Sequence, residues 1–334
     1  MTTERVDTTR LQRISRAYTE TAVFYAALDL AVFSHVAAGA DDVGALVRAT
    51  GMSELNAERL VTVLLAMGLL ERRDGRLVNA PDAARFLVRG EAAYAGDWMM
   101  FTRADVPKWF ELTAILTDPT PPTLLGMYAD LTVESARAYH AATYSIGMGA
   151  GKRFCRTVDL RTRRKLLDLG GGSGAYSINA VQRFPQLRAV VLDLPPVVEV
   201  TREYLVAHGV SDRVETLPGD FTATAFPEDC DVAVMASNLP IYAPDVIQRV
   251  VSKVYAALLP SGEFHLIGEM LDADGGGPLD PALWGMHEAI CGSRGKAHTV
   301  TQCIDYLRAA GFAQVAAADF VPGILTRVSG VKAG

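Results

Sequence analysis

The chain opens on a helical rhythm. Leu11, Ile14, Tyr18, Val23, Phe24 and Leu28 recur at three- and four-residue steps, the spacing that lines one face of a helix. Between residues 41 and 80 this gives way to two shorter helical patterns, DDVGALVRAT and SELNAERLVTVLLAMG, then two strand-like runs, LLERR and RLVNA, around Asp74-Gly75. Asp-Gly between such runs signals a hairpin, because both positions accept positive φ. Helix, helix and a two-stranded wing is the order of a winged helix. Residues 92 to about 158 continue as helices, broken by Pro119, Pro121 and Pro122 in TDPTPPT. From Lys165 the pattern changes to apolar runs alternating with helices: KLLDLG, RAVVLDL, RVETL, DVAVMAS and EFHLIGE. That alternation predicts a parallel, doubly wound sheet. The last two runs, AQVAAADF and ILTRVSGV, are joined only through Val321-Pro322-Gly323, too little chain for a crossover, so they pair antiparallel. The expected fold is α/β: a doubly wound seven-stranded sheet with an antiparallel final hairpin, preceded by an all-helical, winged-helix-like domain. The expected divisions are a helical domain over 1–90, a helical connector contributing to the substrate pocket over 91–158, and the sheet domain over 159–334.

Composition narrows the function. The chain has 334 residues, half of them hydrophobic and 21% charged, enough for two packed cores. Its net charge of -6 argues against a polyanionic partner, and the helix that would read DNA carries Glu54 and Glu58 against Arg59. No nucleic acid partner is expected. The start, MTTERVDTTRLQRISR, is polar and no run of apolar residues is long enough to span a bilayer, so the expectation is a cytoplasmic protein without membrane contact. Cys155, Cys230, Cys291 and Cys303 form no C-x-x-C pair; they read as reduced thiols, and no metal is expected.

The candidate chemistry begins at LLDLGGGSGAYSINAVQRF, a strand, a glycine-rich turn and the start of a helix. Gly170, Gly172 and Gly174 let the backbone approach a ligand, and the helix start offers free N–H groups. Gly170, Gly172 and Ala175 also satisfy the dinucleotide pattern G-x-G-x-x-G/A, so an NAD enzyme competes at this point. Asp193, at the end of the next strand and followed by Leu194, is placed to accept from ribose hydroxyls in either class. Two further features separate them. Asp168 extends the turn to D-x-G-x-G-x-G, and the later strand end PGDF places Asp220 at an adenine amino group with Phe221 over the ring. Together they describe an adenosine without a pyrophosphate.

These motifs, with the helical winged domain and the late Ala310-Gly311-Phe312, resemble the dimerising small-molecule O-methyltransferases of bacteria and plants. The resemblance implies S-adenosylmethionine as cofactor, a small-molecule acceptor, and a homodimer interlocked through the N-terminal domain. It implies that Gly170, Gly172 and Gly174 line the methionine moiety, Asp193 holds the ribose, and Asp220 with Phe221 holds the adenine; Ser237 and Asn238 complete the cofactor set.

One position departs from the family. After the fourth strand the family places a lysine and, four residues on, a histidine base; here those positions are Ala236 and Pro240. A placed base contributes roughly a hundred- to ten-thousandfold in rate. Two active readings follow. Either another residue is the base of an O-, N- or C-methyltransferase, with His287 and His298 the candidates, or the acceptor loses no proton, as a thioether. The second reading is preferred here: S-methylation of a methylthio acid such as 4-methylthio-2-hydroxybutyrate, since the chain is similar in length, domain order and lack of a base to the bacterial enzymes that make dimethylsulfoniopropionate by that step. Trp109, Tyr144, Tyr242 and Trp284 would face the developing sulfonium and Met148 would add a soft wall, with Tyr144 and Met148 close to the transferred methyl by the resemblance. Arg103, Arg153, Arg294 and Lys296 are available to clamp the acceptor's carboxylate. A silent cofactor-binding or winged-helix regulatory protein is the third reading.

Overall fold

The computed structural model describes residues 6–334, in two compact units that divide between Phe101 and Thr102, inside the 91–158 stretch. In the first unit the helices are α1 (Thr9–Asp29), α2 (Val32–Ala37), α3 (Val43–Thr50), α4 (Glu54–Ala66), α5 (Pro81–Phe86) and α6 (Gly96–Met100). Strands β1 (Leu70–Arg73) and β2 (Arg76–Asn79) pair antiparallel across Asp74 and Gly75, whose φ of 52° and 81° are those a tight hairpin needs. Asp42 caps α3 by accepting the Ala45 N–H at 2.7 Å, and Ser53 caps α4, so each short helix starts where its polar cap stands. Leu28, Phe33, Leu46, Leu64, Leu70 and Leu77 close the core, while Leu11, Ile14 and Tyr18 stand exposed on α1.

The second unit holds α7 (Val106–Phe110), α8 (Leu112–Thr117), α9 (Val133–Thr157), α10 (Ala175–Arg183), α11 (Pro195–Ala207), α12 (Pro244–Ala257), α13 (Leu279–Cys291) and α14 (Val300–Ala310). Its strands are β3 (Lys165–Leu169), β4 (Arg188–Asp193), β5 (Val214–Pro218), β6 (Val232–Ala236), β7 (Glu263–Gly268), β8 (Met270–Leu271), β9 (His298–Thr299), β10 (Ala313–Val321) and β11 (Leu325–Val331). Seven of them form one sheet in the order β5-β4-β3-β6-β7-β11-β10, and β8 pairs with β9 apart from it. The first five neighbours run parallel; β11 is antiparallel to both β7 and β10. The run-on hydrophobicity of β3, β4 and β6 follows from burial on both faces, since a parallel sheet is covered on each side by its own crossover helices. One core lies under α12 and α14 around Val250, Phe264 and Leu307, the other around Phe154, Ile178 and Leu205. Strand order reverses at β3, so the crevice beyond the carboxyl ends of β3, β4 and β6 is where a ligand sits in such a sheet.

Candidate active site

The crevice is built from the turn after β3. Gly170 and Gly172 hold φ of 61° and 57°, and a Cβ on either would strike a side chain: Asn238 Nδ2 at 2.5 Å and His140 Cε1 at 2.7 Å. Only glycine fits both the conformation and the space. Asp168 is buried beneath the turn, accepting from Ser177 Oγ at 2.7 Å; burial raises its pKa to about 6 against that hydrogen bond. It braces the start of α10. Asp193, at the end of β4, accepts the Gly172 N–H at 2.8 Å and the Leu194 N–H at 2.7 Å, which pins the glycine turn to the neighbouring strand and leaves lone pairs toward the crevice. Burial raises it to about 6 as well, opposed by the two N–H groups.

Asp220 caps its own turn by accepting the Thr222 N–H at 2.8 Å, and Phe221 is buried edge-on against Tyr242, ring centroids 5.1 Å apart. Ser237 is exposed at φ 58°. Asn238 spends its Nδ2 on the carbonyls of Leu169, Gly170 and Ala236, so it clamps the glycine turn. The expected cofactor residues therefore converge on one end of the sheet, Asp168 and Asn238 as braces behind the turn.

The structure gives Tyr144 and Met148 partners away from the glycine turn. Tyr144 stacks on Tyr204 at 4.5 Å, and its hydroxyl hydrogen-bonds His208 Nε2 just past the end of α11. Met148 packs into the core behind α10, its sulfur 3.4 Å from Asn179 Nδ2. The residues of α9 that reach the crevice lie one turn earlier. His140 lies against Gly172, buried and without a hydrogen-bond partner among the described residues, and burial lowers its pKa to about 4. Beside it, burial pushes the Tyr139 pKa up, reinforced by the charges of Glu269, Asp193 and Glu288.

Around α13 the structure gathers several expected acceptor residues. His287 is packed between Trp109, 6.1 Å away, and Trp284, 5.6 Å away and edge-on. Its Nε2–H donates to Asp105 at 3.1 Å, and the Cys291 thiol, pushed up to about 12 and hence protonated, points at Nδ1 from 3.4 Å. Glu288 is buried beside it and accepts from Ser293 Oγ at 2.5 Å. Tyr128 and Tyr242 both feel the charge of Glu288, and Tyr242 also that of Asp193. Phenol rings thus join the α13 side to the cofactor side.

His298, the other expected base, is built into the fold. It is fully buried, with Nε2–H donating to the Tyr242 carbonyl at 2.8 Å and Nδ1 accepting the Tyr306 hydroxyl at 2.9 Å. Both ring nitrogens are committed to the fold. Pro240 is buried in a 3-10 turn, Leu239–Ile241, and offers no side-chain acceptor where the family places its histidine.

A doubly wound sheet with an antiparallel final hairpin, its glycine turn pinned by a strand-end carboxylate at the switch point, defines, together with the family match that follows, a class I S-adenosylmethionine-dependent methyltransferase. The chain belongs to the O-methyltransferase domain family, whose profile matches residues 130–313. It is 32% identical over 333 residues to the 3-hydroxy-5-methyl-1-naphthoate 3-O-methyltransferase of Streptomyces sahachiroi, covering 97% of this chain and 95% of that enzyme. It is 26% identical over 310 residues to the tetracenomycin polyketide synthesis 8-O-methyl transferase of Streptomyces glaucescens, covering 91% of each. Human N-acetylserotonin methyltransferase, solved with S-adenosylmethionine, shares the fold at a TM-score of 0.82 and 21% identity over the whole of both chains. The two Streptomyces relatives are named as enzymes that transfer methyl groups to oxygen. The thioether acceptor expected from Pro240, and with it the dimethylsulfoniopropionate branch, finds no support among them: the lack of a histidine at that position does not make the acceptor protonless.

Proposed function

We propose that the protein transfers the methyl group of S-adenosylmethionine to a hydroxyl on a small, fused-ring aromatic acceptor. The observation that carries this reading is the pair of indoles, Trp109 and Trp284, that flank His287 on α13; Tyr128, Tyr139 and Tyr242, on each of which the charge of Glu288 acts, add phenol rings to the same side. Flat aromatic faces favour flat aromatic ligands, each well-placed pair contributing about 0.5–1.5 kcal/mol beyond area burial. The naphthoate and tetracenomycin acceptors in the relatives' names support the same class.

In this reading Gly170, Gly172 and Gly174 admit the methionine moiety, with His140 against Gly172. Asp193 and Leu194 hold the ribose, and Asp220 with Phe221 holds the adenine. When bound, the cofactor supplies an electrophilic methyl group on a positively charged sulfur. The chain's part is to orient the acceptor oxygen, exclude water and take up the hydroxyl proton. The exposed Leu11, Ile14 and Tyr18 on α1, spaced three and four residues apart, support a homodimer through the helical domain, with the 91–158 stretch supplying pocket residues such as Trp109 and Tyr128.

A panel of hydroxynaphthoates, simple phenols, amines and methylthio acids, each incubated with labelled S-adenosylmethionine, tests the reading. Transfer to hydroxynaphthoates is expected. Transfer to the methylthio acids alone would overturn it.

A further inference from the structure

The loss of a histidine at Pro240 leaves open which group takes the acceptor's proton, and the packing around that turn bears on the answer. The loop that follows α13 lies directly against it: a Cβ on Gly295 would come within 2.1 Å of the Pro240 carbonyl oxygen and 2.5 Å of the Ile241 carbonyl carbon. This loop also fixes a carboxylate. The Ser293 hydroxyl accepts the Gly295 N–H at 3.0 Å and donates its own proton to Glu288 Oε2 at 2.5 Å, while the Ser293 N–H bonds the Glu288 carbonyl at 3.0 Å. Glu288 is only 3% exposed, and its other oxygen, Oε1, makes no hydrogen bond among the described residues. It is a buried carboxylate held by one oxygen.

We infer that Glu288, oriented by Ser293, is the general base for the acceptor hydroxyl in place of the side chain that Pro240 lacks. This rests on the O-methyl transfer proposed above. The groups facing Glu288 are Tyr128 in the 3-10 turn Gly126–Asp130, Tyr139 on α9, Tyr242 after the Pro240 turn, and His287 and Cys291 on its own helix. The charged group acting on Glu288 to favour its ionised form is His287, the next residue back on the helix. Burial pushes the Glu288 carboxyl above the ordinary glutamate range, against the Ser293 hydrogen bond, and so toward the neutral range where a base is most effective. The link to the cofactor side is the turn itself: the loop carrying Ser293 and Gly295 lies against Pro240 and Ile241, and Tyr242, next in the chain, packs edge-on against Phe221 with ring centroids 5.1 Å apart.

The step balances without another reactant. The acceptor O–H bond breaks and its proton goes to Glu288. The oxygen's electron pair forms the O–CH3 bond as the sulfur–methyl bond breaks, and that pair stays on sulfur, giving neutral S-adenosylhomocysteine. Glu288 then releases the proton to water.

Glu288→Gln keeps size and the Ser293 contact while removing the base. With a hydroxynaphthoate acceptor, the expected result is a fall in kcat of about a hundredfold or more near pH 8. The acidic limb of the kcat/KM profile should vanish, while affinity for S-adenosylhomocysteine stays unchanged. Ser293→Ala is expected to lower kcat less and to move that limb to higher pH, because a donor to the carboxylate is lost. A readout independent of turnover is the melting temperature of the ligand-free proteins. A carboxyl raised in the folded state adds stability below the ordinary glutamate pKa and loses it as pH rises through the folded value. Glu288→Gln should therefore melt above the wild type at alkaline pH, the gap closing as pH falls. If Glu288→Gln keeps the acidic limb and the limb disappears in Glu269→Gln or His287→Asn, the assignment is overturned while O-methyl transfer stands. If the wild type methylates no hydroxyl at all, the reading beneath it fails and the assignment falls too.

Discussion

Replacing Asp193 by alanine separates what this carboxylate does for the fold from what it does for the cofactor. Its two oxygens accept the N–H groups of Leu194 and Gly172 at 2.7 and 2.8 Å and keep lone pairs for ribose hydroxyls. A hydrogen bond to a charged acceptor contributes about 1.5–3 kcal/mol, so losing the two ribose bonds costs about 3 kcal/mol or more. At about 1.4 kcal/mol per factor of ten, affinity for S-adenosylhomocysteine should fall at least a hundredfold. The ligand-free protein should also lose stability, about 1–3 kcal/mol for each N–H left buried without a partner. Calorimetric titration measures the first effect and thermal melting the second. The same carboxyl sits at about 6, and ribose hydroxyls need its ionised form, so wild-type affinity should decline as pH falls through that value. Asp193→Asn, with nothing to titrate there, should bind weakly at every pH. An Asp193→Ala protein that binds S-adenosylhomocysteine within a few-fold of wild type would refute the assignment of the ribose site.

Three further outcomes follow from the site. His298→Ala should cost about 3 kcal/mol or more in denaturant unfolding, from the cavity and from the orphaned Tyr242 carbonyl and Tyr306 hydroxyl; native stability with lost turnover would instead make it catalytic. Tyr144→Phe keeps the stack on Tyr204 and loses only the contact to His208, so kcat should be unchanged and stability altered by about 1 kcal/mol at most; a large fall in kcat would restore Tyr144 to the site. His140, at about 4, and His265 and His298, also lowered by burial, are held neutral in the fold. Their contribution is complete above the ordinary histidine pKa of 6.5 and is lost as pH falls toward about 4, so the melting temperature of the wild type should fall relative to that of His140→Gln across that window; a constant difference between the two would contradict the burial argument.

The sheet was legible in the sequence because a parallel strand buried on both faces leaves a continuous apolar run, as in β3, β4 and β6, and because three residues between β10 and β11 allow only a hairpin. The cofactor turn was legible for a similar reason. Positive φ and close contact at Gly170 and Gly172 admit one residue type, which is visible as a letter. The acceptor side was read less well. On α9 Tyr139 with His140, then Tyr144, then Met148 follow one another at about one-turn steps, and nothing local says which phase faces the crevice; His140 lies against Gly172, while Tyr144 stacks on Tyr204 and Met148 packs against Asn179. His298 looked reactive as a letter, yet its two partners, Tyr242 and Tyr306, are fixed only by the fold. Glu288 is illegible for the converse reason: a single glutamate in an apolar helix acquires its character from Ser293 and from burial, which the local sequence does not encode.

The account's central claim is methyl transfer to oxygen with S-adenosylmethionine as donor. The measurement that tests it most directly is to incubate the wild-type protein with isotope-labelled S-adenosylmethionine and a mixture of a hydroxynaphthoate and a methylthio acid, then locate the label by magnetic resonance. The account predicts a labelled aryl methyl ether and stoichiometric S-adenosylhomocysteine. Label found on sulfur, with the hydroxynaphthoate recovered unchanged, would contradict it.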